Sequence, residues 1–186
     1  MKKTSIAVFT VVFLISFTPA VFAKSAKTFG DFEVDGSFGF ASGPGDFGSG
    51  YGVNFGLGAM LPEIDRNLQA RADISVFDFS TTYGYLGSGY DLSYTRIPVT
   101  FSARYYFPVN PRLKAFAQAG LETSIDSFEY FAAGQRHSKS EVNLGISPGG
   151  GVEFTLNPKV SFFALGRIHI ISDEYFSMQF GGAFHF

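Results

Sequence analysis

The chain has no cysteine among its 186 residues, and only 16% of them are Asp, Glu, Lys or Arg. Without Cys no disulfide can staple the fold. Basic residues do not dominate either: 14 Lys and Arg face 16 Asp and Glu, so there is no basic stripe to hold a nucleic acid. His137 and His185 are isolated, no metal-ligand spacing occurs, and no metal or other cofactor is expected. After the first two dozen residues no apolar run reaches the length of a membrane-crossing helix, which needs about 20 residues. If this chain lives in a bilayer, it must do so as a closed barrel, where every backbone donor and acceptor finds a partner in a neighbouring strand.

What is abundant is aromatic and small: 24 Phe, 9 Tyr and 22 Gly. The N-terminus reads as a secretory leader, with Met1-Lys2-Lys3 as a positive start, Ile6 to Phe17 as an apolar core and Val21-Phe22-Ala23 as the cleavage site. Cleavage there would leave one domain, 24–186. With Lys2 and Lys3 gone, 12 basic residues would face the same 16 acidic ones, a net charge of −4. The C-terminus is built on a two-residue period. Phe176, Met178, Phe180, Gly182, Phe184 and Phe186 share one face of an extended strand, and Ser177, Gln179, Gly181, Ala183 and His185 share the other.

The same alternation recurs along the chain. Phe32, Val34, Gly36, Phe38 and Phe40 oppose Glu33, Asp35, Ser37 and Gly39, predicting a strand from about Gly30 to Ala41. Tyr51 to Ala59 give a second whose other face is nearly all glycine, and Leu68 to Val76 a third that decays into the polar stretch Asp78 to Ser93. Ile97 to Phe107 form a fourth, with Pro98 read as a local bulge near a rim. Leu113 to Leu121 form a fifth, followed by a loop from Asp126 to Lys139. Val142 to Phe154 form a sixth, Val160 to Ile170 a seventh, and the C-terminal segment the eighth. Asn110-Pro111-Arg112-Leu113 and Asn157-Pro158-Lys159-Val160 look like one turn used twice. Short connections at 62–67, 108–111 and 155–158 alternate with long ones at 42–50, 78–93 and 126–139, although the last link, Ser172-Asp173-Glu174, is short.

The predicted fold is therefore all-β, a single closed up-and-down antiparallel barrel of about eight strands. The polar face is mostly Gly, Ser, Asn and Ala with a few charges. That composition suits a cramped interior better than a solvated exterior, and the Phe-rich face suits lipid. In these features the chain resembles the small eight-stranded outer-membrane β-barrels of the OmpX type and the OmpA transmembrane domain. Its last eight residues, with Gln179, Gly181, Phe184 and Phe186 in place, resemble the C-terminal assembly signal of such barrels. The resemblance implies a Gram-negative outer-membrane location among lipopolysaccharide, delivery by periplasmic chaperones and the barrel-assembly machinery, and a monomer without enzymatic activity. The long loops would then carry surface interaction or support envelope integrity.

Arg71, Asp73, Arg96, Arg104, Lys114, Glu122, Glu141, Glu153, Arg167 and His169 all have inward parity and are expected to form an interior polar network. A narrow pore for small or amphipathic solutes is one alternative. A lipid A deacylase is the other, because His169, Ser172 and Glu174 loosely resemble that family's His, Ser and Glu. The spacing is off, however: a Ser three residues after the His faces the other way in a regular strand.

Overall fold

In a computed structural model describing residues 31–43, 48–85, 88–132 and 135–186, the alternating segments form nine β-strands and no helix. They are β1 (Phe32–Ser42), β2 (Ser49–Met60), β3 (Leu68–Tyr85), β4 (Ser88–Pro108), β5 (Leu113–Ala132), β6 (Gln135–Ile146), β7 (Gly149–Asn157), β8 (Val160–His169) and β9 (Tyr175–His185). The leader assigned to 1–23, the segment 24–29 and positions 44–47 lie outside the described residues.

Register shows that nine segments make eight staves. Leu121 of β5 faces Ile146 of β6, and Gln118 faces Gly149 of β7, so the partner advances one for one across Ser147 and Pro148. Ser147 N donates to Gly120 O at 2.9 Å, and Pro148 O accepts from Ile168 N at 2.9 Å. The only fault is the N–H that proline lacks, and the sixth strand read from the sequence is a single stave. Each stave pairs antiparallel with the next, and β1 pairs with both β2 and β9, which closes the barrel. The two Asn-Pro turns do share a device: Asn110 Oδ1 accepts from Arg112 N and Asn157 Oδ1 from Lys159 N, both at 2.9 Å.

The face assignment holds along the barrel wall. Phe38, Phe55, Phe101, Leu121, Phe162 and Phe180 are exposed on the outside, whereas the intervening residues line a lumen. Glycines on the inner face make that lumen habitable. A Cβ at Gly56 would collide with the Arg71 guanidinium and with the carboxylates of Asp35 and Asp73.

Two expectations need correction. Pro98 is not in a bulge. β4 keeps one register against β5 on both sides of it, with Pro98 opposite Ser124, and its pairing to β3 lapses opposite Pro98 and resumes unshifted. The inward-facing proline costs one ladder bond and nothing more. The stretches 78–93 and 126–139 are not long loops. β3 and β4 run on as a ladder to Tyr85↔Ser88, and β5 and β6 to Ala132↔Gln135. From His137 to Val142 every side chain of β6 is exposed, so the alternation that marks a half-buried strand disappears while the strand persists.

Candidate functional site

Two features could carry function: the lumen and the raised ribbons. In the lumen the charged side chains sort into two tiers. Arg71 centres the tier near the short turns. Its Nη1 lies 2.5 Å from Glu33 Oε1, and its Nη2 contacts Asp35 and lies 3.0 Å from Asp73 Oδ1. Gln69 Nε2 donates to Glu33 at 3.0 Å, and Tyr106 OH donates to Glu153 Oε2 at 2.9 Å. Arg104 binds Gln118 Oε1 through Nε and Nη2 at 3.1 and 3.0 Å, and its guanidinium lies 4.1 Å from the centre of the Phe116 ring. Arg167 Nη2 approaches Asp73 Oδ2 at 3.4 Å, joining β8 to β3.

Towards the long hairpins, Arg96 makes a bidentate pair with Asp126 at 2.9 and 2.7 Å. It lies over the rings of Tyr94 and Tyr175, with ring centres 5.3 and 4.8 Å away. Phe77, Phe79, Tyr94, Tyr175 and Ile171 pack beside it as an aromatic plug. Such a charge, paired through a planar fork and stacked on aromatics, fills a low-dielectric interior with its valences met.

Arg71, Asp73, Arg96, Arg104, Glu122, Glu153, Arg167 and His169 are all buried, as expected from parity. Lys114 is half-buried at the turn-side mouth. Glu141 is the exception: its side chain is 43% exposed and pairs with Lys139, because β6 has already risen above the barrel wall there. The network also recruits Glu33, Asp35 and Asp126. The first two share the polar parity of the first strand; Asp126 sits in a stretch whose sequence reads as loop.

The structure does not bring His169, Ser172 and Glu174 together. Ser172 and Glu174 are exposed and make no described contact with His169. Instead His169 Nδ1 is 2.6 Å from Glu122 Oε2 and Nε2 is 2.8 Å from Ser177 Oγ. This has the order of a hydroxyl, a base and an acid, but a triad also needs room for a carbonyl and donors for its oxyanion. Ser177 and His169 are fully buried, and Tyr175 stacks on the imidazole at 3.9 Å. The arrangement joins β5, β8 and β9.

The raised sheet is the other feature. β2 last pairs with β3 at Tyr51↔Asp78, with Gly50 still against Phe79, and beyond that β4 is the one described strand paired with β3. Among the described residues β6 pairs with β5 alone from Gln135 to Gly145, and meets the β8 side at Ile146↔Ile170. A four-stranded sheet, β3-β4-β5-β6, thus stands above the rim with two edges that no described strand covers. Ile146 N donates towards Ile170 and Ser147 N towards Gly120 of β5. With the register unbroken, the N–H groups of Ser138, Ser140, Val142 and Leu144 point away from β5, along the open edge.

The sequence matches the family described as "Outer membrane protein beta-barrel domain" over residues 9–183. No curated protein matches it. Among solved structures it is similar to Ail, the attachment invasion locus protein of Yersinia pestis, at 15% identity and a TM-score of 0.58, covering 84% of this chain and 99% of that one. Neisserial surface protein A gives 18% identity, a TM-score of 0.55 and coverage of 84% and 99%. OprG from Pseudomonas aeruginosa gives 14% identity, a TM-score of 0.63 and coverage of 84% and 96%. At these identities the likeness is one of fold.

Proposed function

Because the chain belongs to the family of outer-membrane protein β-barrel domains, and so resides in the outer membrane of a Gram-negative cell, we propose that it is a non-enzymatic, non-conducting anchor holding the raised β3–β6 sheet outside the cell for protein contact. The observation that carries this reading is the open edge of β6. Short turns face the periplasm and long hairpins the exterior in barrels of this class, which puts the edge in the medium. An unpaired strand edge is a template for an extended segment of another chain, whose main-chain bonds supply affinity. Lys139 and Glu141, exposed on that edge, discourage indiscriminate self-pairing. The name of the Ail relative, an attachment protein, agrees with contact as the task of such a sheet.

Attachment of bacteria displaying the protein to cultured epithelial cells tests the edge. Val142→Pro removes an N–H from the open side while leaving the β5 ladder intact, and should lower attachment several-fold with normal folding. Asn143→Pro, whose N–H belongs to the β5 ladder, should disrupt the hairpin itself. Full attachment by a folded Val142→Pro protein would remove the edge from consideration.

The filled lumen gives a second expected result. With Arg96 fully buried between two tyrosines and the plug beside it, purified protein in planar bilayers should show no steady single-channel conductance. Stable conducting steps that change on Arg96→Gln would instead make a pore the function.

A further inference from the structure

The periplasmic mouth holds a cavity of about 420 Å³, lined by Glu33, Met60, Arg66, Tyr106, Lys114 and Glu153 among others, a size within the roughly 300–1,000 Å³ of small-molecule pockets. Its charges are unusual. Glu33 is fully engaged by Arg71 and Gln69. Glu153, 1% exposed, gives Oε2 to Tyr106, but its Oε1 accepts no hydrogen bond. His185 Nε2 is 3.8 Å from that oxygen and already lies 2.9 Å from Ser161 Oγ. Lys114 stands directly opposite Glu153 in the β5–β7 ladder. Among the described residues it forms no ion pair with Glu153 or any other acid; its Nζ lies 5.3 Å from the centre of the Tyr106 ring. Arg66, on the β2–β3 turn, is a second cation at the same cavity without a described acid partner. Glu153, with one oxygen unbonded, and Lys114 thus line the same cavity without pairing with each other.

We propose that this cavity binds a small zwitterion, a primary ammonium joined to an oxyanion by a short linker. Its ammonium would donate to Glu153 Oε1 and its oxyanion would accept from Lys114 and Arg66. Glu153, Lys114 and Arg66 then each meet an opposite charge, while Asp31, the further acid on the lining, stays exposed to water. Met60 and Pro62, also on the lining, cover the linker. Two sources carry that chemistry on the periplasmic side: the ethanolamine phosphate head of an inner-leaflet lipid, and a free amino acid.

Met60 lines the cavity, and Met178 lies on the lipid face, so methyl-labelled methionine gives a reporter and an internal control. Refolded protein in a non-ionic detergent is titrated with O-phosphoethanolamine, glycine and O-phosphocholine, whose quaternary nitrogen has no N–H. The expected result is a saturable shift of the Met60 methyl with O-phosphoethanolamine, glycine or both, none with O-phosphocholine, and a still Met178. Glu153→Gln and the half-exposed Lys114→Gln, each checked for the heat-modifiable folded band, should each weaken binding roughly tenfold or more, the effect of losing a charge-assisted hydrogen bond. A Met60 shift in phosphatidylethanolamine vesicles that is absent in phosphatidylcholine vesicles assigns the lipid source; a response to glycine alone assigns the free amino acid. No saturable shift with either primary-amine probe, an equal response to O-phosphocholine, or binding unchanged in folded Lys114→Gln overturns the proposal.

Discussion

Arg71→Gln should destabilise the barrel by roughly 3 to 5 kcal/mol, the cost of leaving buried charge uncompensated, read as a lower midpoint of urea unfolding in vesicles. The guanidinium touches Glu33, Asp35 and Asp73, all at 3% exposure or less. Glutamine cannot meet three carboxylates gathered from β1 and β3. Arg71→Lys should fail almost as badly, because a point ammonium lacks the planar fork that reaches acids on two strands at once. Combining Arg71→Gln with Asp35→Asn, whose carboxylate pairs with no other described cation, should recover part of the loss, since the penalty belongs to the unpaired charges. An unchanged midpoint for the single variant would mean that water reaches this tier freely and the lumen is not closed.

Phe38→Arg tests the other face. Phe38 sits midway along β1, 59% exposed, with its ring centre 6.3 Å from that of Phe180 across the β1–β9 pair. An arginine there meets hydrocarbon and should cost about 2 to 4 kcal/mol at the midplane, less if it lies nearer an interface. Its neighbour Ser37 supplies the contrast. The Ser37 hydroxyl makes no described hydrogen bond, so Ser37→Ala should be nearly silent. Equal stability of the two variants in vesicles would place Phe38 outside the lipid band.

Both expectations rest on a face assignment that the order of residues carries by itself, and the reason is local. Side-chain direction alternates with every residue of a strand, so membership of Phe38 in the outer set and of Arg71 in the inner set follows from counting. The number of staves follows from the same count, and the contrast between a Phe-rich outer face and an inner face of small and polar residues is what suits lipid. Even the single sixth stave, interrupted only by the missing N–H of Pro148, is legible as one alternating run.

Period-two counting says nothing about which inward residue meets which. That depends on how far each stave is staggered against the next, a property of the closed barrel as a whole. So Arg71 finds Glu33 and Asp35 some 36 to 38 positions away, and His169 takes Glu122 and Ser177 in place of the sequence-adjacent Ser172 and Glu174. Glu141 has the same parity as Glu153 yet lies outside the network, because parity gives direction and not height, and β6 has left the wall by that point. The raised sheet is hidden from the sequence for a related reason. Neither polar stretch alternates as a half-buried strand would, and only the cross-strand pairing of β3 with β4 and of β5 with β6 turns them into a sheet with open edges.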